Sequence, residues 1–174
     1  MQPEELIEIL KKGGIGVLPT DTIYGLVGSA FSKKAVERIY EVKERKKDKP
    51  FIILISSFKD LRIFGVELPR EAFTLLKKIW PGKVSVIFPL KSKKFFYLHR
   101  GKNSLAFRLP KDRWLRNILK KIGLLVAPSA NLEGEPPAET IKEAKKYFGN
   151  NVDFYFNKGK IKGRPSTILE IKRL

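Results

Sequence analysis

Apolar residues recur at helical spacing in Leu6, Ile7, Ile9 and Leu10, and Gly13-Gly14 stops the pattern, so residues 3–12 are predicted to form an amphipathic helix. A strand, Ile15 to Pro19, follows. Ser32 is a good N-cap for a second helix, marked by Ala35, Val36, Ile39 and Tyr40, which runs into the basic stretch Lys43 to Lys49 before Pro50. Phe51 to Ser56 is a continuous apolar run of strand length, the pattern of a strand buried on both faces. A helix over 69–80 is closed by Pro81-Gly82. Val84 to Leu90 and Leu105 to Leu109 read as strands joined without a helix by the charged stretch 91–104, expected to be a hairpin or loop at an exposed edge, which makes the pair antiparallel. Trp114 to Ile122 reads as a helix, Leu124 to Ala127 as a buried strand and Glu139 to Phe148 as a helix, with short strands near 152–155 and 167–172. Helices and strands interleave with no repeat or linker, which predicts one α/β domain over residues 1–174 with a mixed sheet.

Composition narrows the chemistry. The longest apolar runs are far short of the ~20 residues that span a bilayer, which excludes a transmembrane helix. The acidic, helical start has no signal-peptide pattern, so a cytoplasmic location is expected. Cysteine is absent and there is one histidine, His99, which excludes disulfides, thiol nucleophiles and multi-histidine metal sites. Lys plus Arg number 36 against 18 Asp plus Glu, a net charge of +18 that attracts phosphates, whether of nucleotides or of nucleic acid.

Four places carry candidate chemistry. The loop Pro19 to Leu26 presents two hydroxyls, a carboxylate and a phenol at a strand end, where α/β proteins place ligands; an ordinary turn would use Asp21 and Thr22 on its own backbone. Lys43 and Arg45 point to the same side if the helix has already ended, and with Lys47 and Lys49 would clamp an anion; otherwise they are a solvated helix end. Ala127-Pro128-Ser129-Ala130-Asn131 offers a hydroxyl and an amide two residues apart after a buried strand. Arg108 interrupts an apolar strand and must face solvent or meet an anion. The basic loop Gly159 to Thr167 matches no Walker A pattern. His99, Trp80 and Trp114 read as structural, and no Ser/His/Asp set or pair of catalytic carboxylates is present.

In this order, PTDTIYGL at 19–26, the K-x-R of Lys43 to Arg45 followed by Lys49-Pro50-Phe51, WPGKVS at 80–85, LAFRLP at 105–110, APSANLEGEPPA at 127–138 and STILEI at 166–171 resemble the YrdC-like threonylcarbamoyl-AMP synthases over nearly the whole chain. The resemblance implies a twisted mixed sheet with flanking helices and a basic concave face. It implies a reaction in which L-threonine, bicarbonate or carbon dioxide, and ATP give threonylcarbamoyl-AMP and pyrophosphate, the product feeding the tRNA modification t6A at adenosine 37. By motif, Lys43 and Arg45 are the implied catalytic pair. Thr22, Arg108, the backbone at Ala127, and Ser166 would hold threonine. Arg45, Lys49, Ser104, Ser129, Asn131 and Pro137 would line the ATP site. Magnesium would arrive with ATP, since no protein-only cage is present, and no other metal or tightly bound cofactor is expected. Leu54 stands where longer relatives carry a histidine near the threonine site. The implied partners are a downstream threonylcarbamoyl-transferase complex and tRNA. A module that binds RNA on the basic face without catalysis is the alternative, opposed by the scarcity of aromatic platforms outside Phe95-Phe96-Tyr97.

Overall fold

A computed structural model of the chain describes residues 1–90 and 92–171. Lys91, which opens the predicted loop, and Lys172, which ends the last predicted strand, lie outside them. The elements in order are α1 (Pro3–Lys11), β1 (Ile15–Pro19), β2 (Tyr24–Ser29), α2 (Lys33–Val42), β3 (Ile53–Leu54), α3 (Arg70–Ile79), β4 (Val84–Pro89), α4 (Phe96–His99), β5 (Ser104–Arg108), α5 (Arg113–Ile122), β6 (Leu125–Val126), α6 (Ile141–Phe148), β7 (Phe154–Tyr155) and β8 (Thr167–Glu170). Two 3₁₀ segments, Phe58–Phe64 and Lys93–Phe95, join them. The helix starts follow local chemistry: the side chains of Ser32, Asp112 and Thr140 cap α2, α5 and α6 by accepting from the third backbone N–H beyond them.

All eight strands form one sheet in the order β7-β1-β2-β6-β3-β5-β4-β8. It is mixed: β1–β2, β2–β6, β6–β3 and β5–β4 run antiparallel, and β1–β7, β3–β5 and β4–β8 parallel. Successive buried residues alternate between two apolar layers, as a period of two requires. Val17, Leu26, Ile53 and Val126 face one, with residues of α2 and α6; Leu18, Val27, Leu54 and Leu125 face the other, with Leu6 and Leu10 of α1 and Leu115 and Leu119 of α5.

Two expectations change. Residues 24–29 form a central strand instead of continuing the loop. Gly25 and Gly28 hide it in the sequence, but a Cβ at Gly28 would press on Ile15 and Ile39 at 3.0 Å, so the glycine is a packing requirement. The antiparallel β4–β5 pair is present, yet its connection holds a 3₁₀ turn and α4, and it is not simply an exposed edge. Phe95 and Leu98 are buried, and Tyr97 Oη donates to the Ala30 carbonyl at 2.8 Å, because aromatic and aliphatic residues between the charges give the segment one packable face.

The chain end matters for the site. Strands β7 and β8 occupy opposite edges, seven strand spacings or roughly 34 Å apart along a flat sheet. The eleven residues between them, 156–166, reach roughly 36–40 Å only when nearly extended. They form a strap across the sheet, tied down where Tyr24 Oη donates to the Gly159 carbonyl at 2.7 Å and Ile161 N donates to the Glu139 carbonyl at 2.8 Å.

Candidate active site

A cavity of about 530 Å³ opens between the β1–β2 turn, the loop after α2, β5, the loop after β6 and the strap. Thr22, Arg45, Ser104, Arg108, Ala127, Ser129 and Ser166 all line it. Lys43, Lys49, Asn131 and Pro137 do not. Pro137 is half-buried in the loop leading to α6, and the other three have definite partners described below.

The β1–β2 turn is organised by Thr20. Its hydroxyl donates to the Ile23 carbonyl at 2.7 Å, accepts from the Thr22 and Ile23 backbone N–H groups at 3.2 and 3.3 Å, and lies 2.9 Å from the Thr22 hydroxyl. Arg108 Nη1 in turn donates to Thr22 Oγ1 at 2.9 Å. The anion that Arg108 meets is Asp21, whose carboxylate lies 3.4 Å from Nη2 with both side chains about 95% buried. Arg108 Nε and Asp21 Oδ1 are buried without a hydrogen-bond partner, and the second Asp21 oxygen accepts from Lys111 N at 2.9 Å. Burial pulls the Arg108 guanidinium below its usual range and Asp21 opposes that. Leu54 is fully buried in the layer beneath α1 and α5 and does not line the cavity.

The K-x-R pair is set by the end of α2. Glu44 N donates to the Glu41 carbonyl and Arg45 N to the Tyr40 carbonyl, both at 3.0 Å, which is a Schellman motif with Glu44 in the left-handed position at φ 53°. The helix has thus ended before Arg45, but the two side chains have different surroundings, and neither a shared clamp nor a solvated helix end describes both. Arg45 lines the cavity, lies 5.5 Å over the Phe51 ring and donates from Nε to the Lys49 carbonyl at 3.3 Å. Lys43, expected in the open cleft, is 1% exposed. Its ammonium donates to the Ser129 carbonyl at 2.6 Å, the Asn131 carbonyl at 2.7 Å and Asn131 Oδ1 at 3.0 Å. Burial, followed by the charge of Arg45, pushes the Lys43 ammonium down to about 7, while Glu133 resists. Asn131 uses its amide N–H groups on the Leu132 and Glu135 carbonyls at 2.9 and 2.6 Å, so its side chain braces the loop that presents Ser129.

Glu133 locks the same two loops from outside. Its N–H donates to the Lys43 carbonyl at 3.0 Å, and its carboxylate accepts from Lys46 N at 2.7 Å and pairs with Lys49. The Lys49 ammonium and the Lys46 N–H hold that carboxyl down at about 2. Lys49 is therefore engaged away from the cavity wall. On the strap, Ser166 Oγ lies 2.8 Å from Ser85 Oγ at the start of β4, and Gly163 lies so close to the Thr22 carbonyl that a Cβ there would overlap it.

Sequence reasoning did not assign Asp21, Glu133, Lys102 or Gly163. Asp21 was visible as a carboxylate in the strand-end loop, and Gly163 as a glycine in a basic loop. Glu133 carries no local signal, because its partner Lys49 is 84 residues away. Among the described residues no group of three or more Asp, Glu, His or Cys side chains could hold a metal ion, and no helix is long and apolar enough to cross a membrane.

The Sua5/YciO/YrdC family model, described as "Telomere recombination", matches residues 8–173. Threonylcarbamoyl-AMP synthase of Pyrococcus abyssi is 32% identical over 167 residues, 93% of this chain and 48% of that protein. The enzyme of the same name from Bacillus subtilis is 35% identical over 130 residues, 74% of this chain and 38% of that one. The crystal structure of P. abyssi Sua5 complexed with L-threonine superimposes with a TM-score of 0.90 at 29% identity, covering 98% of this chain and 51% of that chain. The chain thus spans about half or less of these relatives' length, and the match over residues 8–173 takes in every cavity-lining residue named above. The chain belongs to the Sua5/YciO/YrdC family.

Proposed function

We propose that this chain is an L-threonylcarbamoyladenylate synthase. The observation that carries the reading is convergence. Seven residues drawn from five segments between positions 22 and 166 meet on one cavity, whose volume of about 530 Å³ lies in the range of small-molecule sites. Threonine would sit deep, its carboxylate on Arg108, with Thr22, the backbone at Ala127, and Ser166 around it. ATP, carrying its magnesium as part of the substrate, would lie toward Arg45, Ser104 and Ser129. Lys49, Asn131 and Pro137 then contribute from behind the cavity wall, holding the nucleotide-side loops. Lys43 acts in the same way, keeping Ser129 in place.

In the reaction the threonine amine, its ammonium proton lost to solvent, condenses with bicarbonate to a carbamate and a molecule of water leaves. A carbamate oxygen attacks the α-phosphorus of ATP, the bond to the bridging β-phosphate oxygen breaks, and pyrophosphate leaves with that oxygen. Two anions must meet, so catalysis rests on positioning and on cations placed where charge develops. Arg45 on the nucleotide side and Arg108 on the amino-acid side supply them, and no general base is required of the protein. The product is a labile acyl adenylate for a downstream transferase complex that modifies tRNA, which suits a cytoplasmic protein.

The test is pyrophosphate release by the purified protein, with serine and glycine as controls. Release that requires ATP, L-threonine and bicarbonate together is the expected result. No release under any combination, with tight RNA binding that falls steeply with salt, would instead favour the RNA-binding alternative.

A further inference from the structure

We propose that Lys102 is the second cation of the triphosphate side of this cavity, held on Asp48 until a nucleotide takes it; the inference rests on the ATP reading above. A triphosphate carries several negative charges, and phosphoryl-transfer sites neutralise them with more than one cation. Among the described residues Arg45, Lys102 and Arg108 are the basic side chains that line the cavity, Lys43 and Lys49 flank it, and geometry sets three of these five aside. The Lys43 ammonium is sealed on three oxygens of Ser129 and Asn131. Lys49 is paired with Glu133 and does not line the cavity. Arg108 is bound to Thr22 and Asp21 at the buried end. Arg45 and Lys102 remain, both lining the cavity.

Lys102 combines a fixed backbone with an exposed, weakly paired charge. It lies in a tight loop in which Arg100, Gly101 and Asn103 have φ of 52°, 83° and 52°, conformations that persist only where the surroundings hold them. They are held: Lys102 N donates to the His99 carbonyl at 2.8 Å, Gly101 N to His99 Nδ1 at 3.2 Å and Leu90 N to the Asn103 carbonyl at 2.7 Å. The Arg100 guanidinium clamps the loop to α2, 2.8 Å from Glu37 and 4.3 Å from the centre of the Tyr40 ring. The loop is therefore anchored to α2, whose C-terminal turn leads on to Arg45, and it runs directly into Ser104. The Lys102 ammonium has a single ion-pair partner among the described residues, Asp48 at 3.8 Å, and the two side chains are 52% and 65% exposed. Such a pair is weak and screened by salt, so a multiply charged phosphate chain displaces it.

Lys102→Ala and Asp48→Asn separate a ligand role from a structural one. Binding of ATP and of AMP is measured by calorimetry, alongside steady-state pyrophosphate release and Tm. For Lys102→Ala the expected result is a loss of ATP affinity, and a rise in KM for ATP, on the order of tenfold. AMP affinity, KM for threonine and Tm should stay unchanged, and Lys102→Arg should restore most of the loss. Asp48→Asn should leave ATP binding as tight as before or tighter. ATP affinity unchanged in Lys102→Ala, an equal loss for AMP, or parallel weakening by both substitutions would overturn the assignment while leaving the synthase reading intact. Wild-type protein that neither binds ATP nor releases pyrophosphate would overturn both, and is recognised because no variant then differs from it.

Discussion

Gly163→Ala tests whether the strap is a wall of the threonine pocket. A Cβ at this position would fall well inside the 3.0 Å that real Cβ contacts respect, against the Thr22 carbonyl oxygen. That oxygen belongs to backbone fixed by Thr20 Oγ1, which accepts from the Thr22 and Ile23 N–H groups and donates to the Ile23 carbonyl, so the turn is the stiffer partner and the strap must yield. Relief requires a displacement of about 1 Å, and a misplacement of that size costs on the order of 100-fold when it moves a positioning group. Ser166, three residues on, would be drawn away from Ser85 and out of the cavity wall. The cost to the fold should be small, because residues 162–165 and β8 are exposed and bury little apolar surface: about 1–3 kcal/mol for an overpacked contact, lowered by strap movement. Steady-state kinetics with threonine varied, alongside guanidinium denaturation, should thus show a large fall in kcat/KM for threonine with most of the stability retained. Wild-type kinetics in a folded Gly163→Ala protein would refute the idea that the strap shapes the pocket.

Glu44→Gly should raise unfolding free energy by about 0.5–1 kcal/mol, since glycine removes the left-handed strain at the C-terminus of α2 while adding freedom to the unfolded chain; a loss of stability would mean that the Glu44 side chain contributes something the geometry does not reveal. Asp21→Asn strips the carboxylate from a buried guanidinium and should destabilise by about 3–5 kcal/mol in denaturant titrations, whereas a change under about 1 kcal/mol would mean that water already solvates the pair. For Lys43 the folded-state pKa of about 7 lies below the value of about 10.4 in the unfolded chain. Between those values the unfolded state binds the extra proton, so this residue makes stability rise with pH from about 7 towards 10. Lys43→Met should lack that rise, and parallel stability curves for the two proteins over that range would show that Lys43 stays charged when buried.

Local signals carried the element order well, because helix stops and caps are local chemistry. Gly13-Gly14, Ser32, Pro81-Gly82 and Gly123 each mark a boundary within a residue or two. The cavity was legible in part through family resemblance: of the residues it implies, Thr22, Arg45, Ser104, Arg108, Ala127, Ser129 and Ser166 line the cavity, and Lys43, Lys49, Asn131 and Pro137 do not. What those residues do to one another was not legible. Whether Lys43 faces solvent depends on a single backbone reversal at Glu44 and on oxygens 86 and 88 residues away. The partner of Arg108 is 87 positions upstream, and that of Lys49 is 84 positions downstream.

The sequence by itself determined the alternation of helices and strands, the antiparallel β4–β5 pair and the set of segments from which a site could be built. Periodicity, caps and turn residues act over a few positions, so they leave their mark in the order of amino acids. Only the tertiary structure decided that β2 is a central strand despite two glycines, that the chain end crosses the sheet to close over Thr22, and which cations remain free to meet an anion. Those outcomes depend on burial and on pairing between distant segments. The electrostatic state of a lysine or arginine is a property of the oxygens that surround it, and they are gathered by the fold.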